Sequence, residues 1–512
     1  MHRPATAEDE VAAELAAVRP GLVTEFTRQL PGARAAVLTR LWRGFAHEPL
    51  PWVERRESTG GGLTVRLADG RRLHGPAADP YATADRVPAV ELDGVSYDRP
   101  ERLMAALAVP HGTVFATELA HSVASLALAR AGRPDRSDRP DRPDRPKEWP
   151  ATDWEWEQQV VDGHPYHPNC RSRPGFSVAD QLAYGPEHRP VVRLGLLAVP
   201  AEECLVSGSW PRWLRERGRV VLPVHPWQAE HVLERGCVEG PAAHPLMPVR
   251  TLALPEGPHV KTALSARLTS SVRDISVGSV RMAAALSAFA EDVAARSGGL
   301  LHVTRTLGAA TAGSPDLAAV LRESPRRYAG PGEHVVPVAA LPATGLTGSA
   351  AWTAAFARLA LTVGLRLLQL GVALEAHGQN LLVVLSGRGE PLRLVYRDLA
   401  DIRVGPARLA RHGIALPELS GRIVTDDVAA LRRKLFGSLV AGSLAATAGS
   451  GPALAAALAA AGPDLPDTPD LRALREQPLP AKALTLMRLS SAGGGDRWTH
   501  LPRPEAATGH HT

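Results

Sequence analysis

The chain has 512 residues, 45% hydrophobic and 22% charged, which is too long for one compact core and too apolar for a disordered polymer. At about 100 to 200 residues per domain it holds two to four domains or subdomains. Its net charge of +5 is small, and its arginines are interleaved with acidic residues, a pattern that excludes a nucleic-acid-binding stripe and suits anionic small molecules.

Three cysteines, Cys170, Cys204 and Cys237, cannot make a disulfide framework and fit a reducing, cytoplasmic setting as buried structural thiols. The opening residues bring acids at once, without the apolar run of a secretory leader. Only four of the 58 basic residues are lysines: Lys147, Lys261, Lys434 and Lys482. GC-rich coding raises Arg, Ala, Gly and Pro together and accounts for most of this skew. A lysine that persists against it is a candidate for a place where a point charge and a planar fork differ.

In chain order, residues 64–73 alternate around Asp69-Gly70, which predicts a β-hairpin. A helix is expected over about Thr117–Arg130. The Arg-Pro-Asp tract at 133–146 reads as an exposed linker, since its prolines prevent helix. A strand is expected to end at His225-Pro226-Trp227, where packing is the default role. A helix of about Ala350–Ala373 carries Phe356, Leu359, Val363, Leu367 and Leu370 at helical spacing and meets Gly371. LLVVL (381–385), the turn SGRGE and LRLVYRD (392–398) form a second hairpin. From Leu435 to Pro463 no charge occurs, but Ala, Gly, Ser and a central Pro452 read as two packed helices rather than a membrane span. These features divide the chain into residues 1–148, 149–345 and 346–512.

Four strings carry chemistry. GHPYHPNCRSRPGFS (163–177) spaces His164, His167 and Cys170 by three, but no second pair follows at zinc-finger spacing. Its imidazoles, with Arg171, Arg173 and Gly175, suit anionic oxygens. VLPVHPWQ (221–228) is the second. In KTALSARLTSSVRDIS (261–276), a strand is followed at Thr269-Ser270-Ser271 by an expected short helix whose start, beside Arg273, would hold an anion. EAHGQNLLVVL followed by VYRDLADI brings His377, Gln379, Asn380 and Asp398 to one end of a hairpin. Asp and Asn oxygens can hold magnesium there and the amides can meet phosphate, as in a kinase catalytic loop.

Taken in order, GHPYHPNCRSRPG, LPVHPWQ, KTALSARLTSSVR, EAHGQNLL with RDLADIR, and KALTLMRL (482–489) resemble the IucA/IucC family of siderophore synthetases that act independently of nonribosomal peptide synthetases. The resemblance covers about residues 150–490. It implies an α+β fold of several subdomains, shaped as a cupped hand with thumb, fingers and palm. It also implies a cytoplasmic ligase using ATP and magnesium, which adenylates a carboxylate of citrate or a similar acid and condenses it with an amine, a hydroxamate amine or a hydroxyl.

By motif position, the resemblance assigns ATP to Lys261, Arg250, His377, Gln379, Asn380 and Asp398, with magnesium at Asp398 and Asn380. It assigns the acid's carboxylates to His164, His167, Arg171, Arg173, Thr269, Arg273 and Arg488, and catalysis to Arg273, His167 and Lys261. A homodimer is implied too, with no nucleic acid and no membrane as partner. Met247, Pro248 and Val249 stand where the family carries small hydroxyl residues, and Arg171 where a lysine is common. Two other readings stay open: a small-molecule kinase built on the second hairpin, and a ferric-siderophore binding or reductase module.

Overall fold

The computed structural model describes residues 6–83, 87–132, 149–268, 271–419, 421–490 and 495–505. The Arg-Pro-Asp tract, Lys147 and Thr269 lie outside the described residues. Near the N-terminus, the helices Val23–His47 and Gly112–Ala131 pack on a sheet of five strands in sequence order. These are β1 (Val53–Thr59), β2 (Gly62–Leu67), β3 (Arg72–Pro76), β4 (Val90–Leu92) and β5 (Val95–Tyr97). The turn at Asp69-Gly70 joins β2 to β3 as expected, and Trp42, Phe45, Val65, Leu73 and Phe115 fill the core between helices and sheet.

The middle of the chain builds a nine-stranded sheet and a hairpin beside it. In chain order the strands are β6 (Val192–Pro200), β7 (Leu205–Gly208), β8 (Arg215–Glu216), β9 (Arg219–Val224), β10 (Val238–Pro245), β11 (Thr251–Ala253), β12 (His259–Thr262), β13 (Leu264–Leu268), β14 (Ser271–Arg273), β15 (Leu301–Val303), β16 (Thr306–Thr311) and β17 (Ala318–Arg322). The large sheet runs β7-β16-β17-β12-β11-β10-β6-β9-β8, while β13 and β14 pair only with each other. Of the short helix expected at Thr269-Ser271, Thr269 and Ser270 lie outside the described residues, while Ser271 is in β14. Leu264, Ala266 and Leu268 join a buried cluster, and the next helix, Val277–Ala295, starts at its own cap, Ser276.

A four-stranded sheet, β15-β21-β20-β18, joins segments from both sides of residue 345. It contains β18 (His334–Pro337), β20 (Leu381–Leu385) and β21 (Pro391–Tyr396), and between these a two-residue strand, β19 (Val372–Ala373), pairs elsewhere. Leu381 pairs with Tyr396, so residues 377–380 and 398 meet at one end, as the second hairpin predicts. Ala350–Leu370 is the helix expected there, with Phe356, Val363, Leu367 and Leu370 buried and Leu359 half-buried in the largest core. It passes a length-and-hydropathy test for crossing a membrane, yet 56% of its apolar window is buried inside the protein. The uncharged stretch after Leu435 bends by 113° into two helical pieces, and Leu439, Leu444 and Leu454 join the same core.

Gly371 ends the Ala350–Leu370 helix at a φ of +105°, and a Cβ there would lie 2.8 Å from both Arg408 Cβ and the Gly405 carbonyl. Gly371→Ala therefore combines backbone strain with a clash, and about 2 to 4 kcal/mol of stability is expected to be lost. Gly345→Ala has a positive φ but open space around it and is expected to cost about 1 kcal/mol. Chemical denaturation of the two variants checks the difference.

Candidate active site

The large sheet meets the second hairpin at one ion pair. Lys261, on β12, places Nζ 3.0 and 2.8 Å from the two carboxylate oxygens of Asp398. Asp398 ends the β21 return at a φ of +71°, which a non-glycine residue holds only where its surroundings fix it. The Tyr396 hydroxyl donates to the Asp398 carbonyl at 3.1 Å and accepts from the Glu375 amide at 3.2 Å. Burial pushes the Lys261 ammonium down to about 7, against the pull of Asp398, and Arg250 and Arg322 push it further. Burial alone would raise the Asp398 carboxyl, but Lys261, Arg322 and Arg250 hold it well below the usual range. Asp398 is thus held as a carboxylate with several cations around it.

Arg250 is steered by the hairpin beside the sheet: its Nη1 donates to the carbonyls of Arg273 and Asp274. Val249, before it, takes a buried φ of +64°. Arg273 makes one long bond, 3.3 Å, to the Leu268 carbonyl, and burial depresses it against the charges of Asp398 and Glu375. Among the described residues its guanidinium has this one hydrogen bond.

Three histidines share one local device. His164 Nδ1 accepts from the amides of Tyr166 (3.1 Å) and His167 (3.2 Å), His167 Nδ1 from Asn169 (2.9 Å), and His377 Nδ1 from Gln379 (3.3 Å). In the first two a proline follows the histidine; it has no N–H and a fixed φ, which leaves the next amide to close the turn. An Nδ1 that accepts assigns the proton to Nε2, so each ring is a neutral donor. Burial keeps it so: His167 is lowered to about 3, with Arg488 and Arg273 adding to the effect, while His164 and His377 also lie below their usual value. His164 responds to His167 and His377, so the first and fourth strings converge on one place.

Other expected residues are already engaged. Arg173 forks onto Glu187 at 2.7 and 3.0 Å, and Arg171 bonds Glu187 and the carbonyls of Val160 and Val161. Glu187 is fully buried against them. Expected at the acid's carboxylates, these two arginines instead form a buried ion triad under the loop. Arg488 forks onto Glu118, which also accepts from Asn169 Nδ2 at 2.8 Å, so it braces the histidine loop. Asn380 is buried, and its Nδ2 reaches the Glu375 carbonyl at 3.4 Å; the Gln379 carbonyl accepts from Arg397 Nε at 2.9 Å.

Several residues escaped the sequence reading. Lys434 is 2% exposed and bonds Glu375 (3.0 Å) and Asp401 (2.6 Å); Lys482 reaches the same Glu375 oxygen at 3.0 Å. Arg322, on β17, was visible as an arginine ending an apolar run, AAVLR. Among the cysteines only Cys170 is buried; Cys204 and Cys237 are half-buried, which raises both thiols. Among the described residues no three His, Cys, Asp or Glu side chains gather as a metal cluster.

His225 repeats the proline device, its Nδ1 accepting from Trp227 at 3.2 Å, and burial lowers it to about 3. An unfolded chain takes up this proton below about pH 6.5, the folded protein only near 3. Its contribution to stability is thus full above pH 6.5 and lost as pH falls toward 3. In chemical denaturation as a function of pH, His225→Gln is expected to flatten the slope between pH 6 and 4 by up to one proton, about 1.4 kcal/mol per pH unit.

Comparisons with known proteins fit this geometry. Residues 152–343 match the IucA / IucC family, and residues 350–496 match the family described as ferric iron reductase FhuF-like transporter. A citryl-spermidine/3,4-dihydroxybenzoyl-citryl-spermidine:spermidine ligase of Bacillus anthracis is 28% identical over 48% of this chain and 51% of its own length. A Staphylococcus aureus enzyme, 2-[(L-alanin-3-ylcarbamoyl)methyl]-3-(2-aminoethylcarbamoyl)-2-hydroxypropanoate synthase, is 25% identical over 49% and 52%. The chain thus spans about half the length of these curated relatives. In fold, the petrobactin biosynthesis protein AsbB of B. anthracis str. Sterne superposes with a TM-score of 0.75 at 18% identity, covering 94% of this chain and 97% of that one. The ATP-bound aerobactin synthetase IucA of Klebsiella pneumoniae gives 0.71 at 20% identity, covering 93% and 99%. The mixed helix-and-sheet fold is that of these synthetases, and residues 152–343 are similar to the IucA / IucC family.

Proposed function

We propose that the protein is an ATP-dependent ligase of siderophore biosynthesis, which adenylates a carboxylate of citrate or a related acid and condenses it with an amine or hydroxyl. The observation that carries this reading is the surplus of cations, Lys261 and Arg322 buried and Arg250 and Arg273 half-buried, around the carboxylate of Asp398. Such a site is stable in charge only when a polyanion fills it. A citryl-spermidine ligase among the relatives supports a citrate-like acid and a polyamine as substrates, and an ATP-bound synthetase of the same fold supports the nucleotide.

In this reading an oxygen of the acid attacks the α-phosphorus of ATP, and the bond to the bridging oxygen breaks with pyrophosphate leaving. Lys261 and Arg250 neutralise the phosphates, and Arg273 clamps the carboxylate beside the neutral Nε2–H donors of His167 and His377. These donors give up no proton, so their part is electrostatic stabilisation of charge as it develops. The amine lone pair then attacks the acyl carbon, AMP departs with the C–O electron pair, and the amine's proton passes to solvent.

Magnesium, when bound, would neutralise phosphate charge, with Asp398 and Asn380 as its holders. A lone carboxylate whose side chain is 29% exposed fits an ion held mostly by substrate phosphates and water. The division at residues 148 and 345 and a homodimer are part of the same proposal. The match to FhuF-like proteins over residues 350–496 favours ferric-chelate binding as the second reading.

Citrate-dependent exchange of labelled pyrophosphate into ATP is the test. Arg273→Ala and His377→Ala are each expected to lower exchange at least 100-fold with the melting temperature held, and Lys261→Arg at least 10-fold. ADP in place of AMP would transfer the site to a kinase. Binding of a ferric chelate with no nucleotide turnover, for every acid and amine tried, would favour the second reading.

A further inference from the structure

Six arginines of the chain are buried among the described residues: Arg40, Arg43, Arg171, Arg173, Arg322 and Arg397. Five of them engage at least one donor inside the protein, although Arg397 Nη2 is left without a partner. Arg40 bonds the carbonyls of Ala36 and His164, Arg43 that of Pro80, Arg171 and Arg173 bond Glu187, and Arg397 bonds Glu157. Arg322 is the exception: it is 7% exposed, and among the described residues no hydrogen bond or ion pair engages its guanidinium.

Its position explains why a donor there has use. On β17 it lies directly across from His259 of β12. Paired residues share a face, and so do residues two apart, so Arg322, His259 and Lys261 project from the same side of the sheet. Thr251 of β11 pairs with Lys261 on that side, and its buried hydroxyl has no partner.

The acids that could neutralise Arg322 are already taken. Asp398 is held by Lys261, Glu157 by Arg397 and the Met247 amide, and Asp153 by His259 (2.8 Å) and Ser324 (2.6 Å). A buried guanidinium kept from every neighbouring carboxylate costs stability. A fold retains that cost where a ligand removes it.

We propose that Arg322 is a further phosphate-binding residue, its planar fork closing on the β- and γ-phosphates of the nucleotide, and on the pyrophosphate they become, from the sheet face it shares with Lys261. This rests on the adenylating function proposed above. A guanidinium suits the role because it can give two parallel bonds to one phosphate, whereas Lys261 offers a point charge. Thr251 supplies a neutral donor on the same face.

The test is calorimetric binding of inorganic pyrophosphate, and of ATP with magnesium, to the full chain, alongside melting without ligand. For Arg322→Gln, pyrophosphate affinity is expected to fall roughly 10- to 100-fold. The melting temperature without ligand should stay level or rise, because surplus buried charge is relieved, and the ligand-induced rise should shrink. Arg322→Lys should recover part of the affinity.

Unchanged pyrophosphate affinity in Arg322→Gln would overturn the proposal. So would a lower melting temperature without ligand in both variants together with wild-type affinity in Arg322→Lys, the pattern of a structural arginine. If the wild-type chain binds neither pyrophosphate nor ATP, the adenylating function itself fails. Binding of both by wild type and by Arg322→Gln alike would remove only the role of Arg322.

Discussion

The contact between Lys261 and Asp398 joins the two halves of the site. One partner comes from the nine-stranded sheet and the other from the end of the β20–β21 hairpin. An ammonium this buried is stable only beside a counter-charge, and Asp398 accepts an αL backbone to supply it. The pair thus fixes how far apart the cations of the sheet and the polar end of the hairpin lie. Because Arg250, Arg273 and Arg322 crowd the same carboxylate, the pair does not neutralise its surroundings. Its energetic cost and its capacity to bind an anion have one origin.

Around this charged centre the imidazoles are kept neutral. Protonation would break the Nδ1 bonds that hold the loops at His164, His167 and His377, and would add charge where arginines are already close. A backbone amide, a buried ring and, in two of the three cases, a following proline thus deliver an Nε2–H donor of fixed direction. Permanent cations on one side and neutral donors on the other can tell a phosphate, which needs charge, from a carboxylate, which needs orientation. Arg171, Arg173 and Arg488 serve beneath this surface: paired with Glu187 and Glu118, they set the histidine loop in place.

Much of this was legible in the sequence because it depends on local order. The Ala350–Leu370 helix follows from its spacing and Gly371, and the meeting of His377, Asn380 and Asp398 follows from hairpin register. Of the helix start expected at Thr269-Ser271 only Ser271 is among the described residues, and it lies in β14 opposite Leu268, because capping residues describe a helix start only if the chain leaves the sheet there. Arg171 and Arg173 looked like surface donors because their counter-ion, Glu187, comes 14 or more residues later and nothing local marks it. Arg322 could be seen as a charged residue at the end of an apolar strand, but its lack of a partner exists only once all neighbouring acids are placed.

The scarcity of lysine acquires a physical meaning at the same point. Lys261, Lys434 and Lys482, the lysines among the described residues, each end on carboxylates of the segment from Glu375 to Asp401, with Asp496 added for Lys482. Lys434 bridges two acids and shares Glu375 with Lys482. A guanidinium presents its donors in one plane and favours a single carboxylate face to face, whereas an ammonium directs three donors out of plane and can serve two acids at once. A coding bias that replaces lysine by arginine meets resistance where that geometry is needed. In this chain those places surround the hairpin that carries Asp398, so the composition marks the site from which the rest of the chemistry is built.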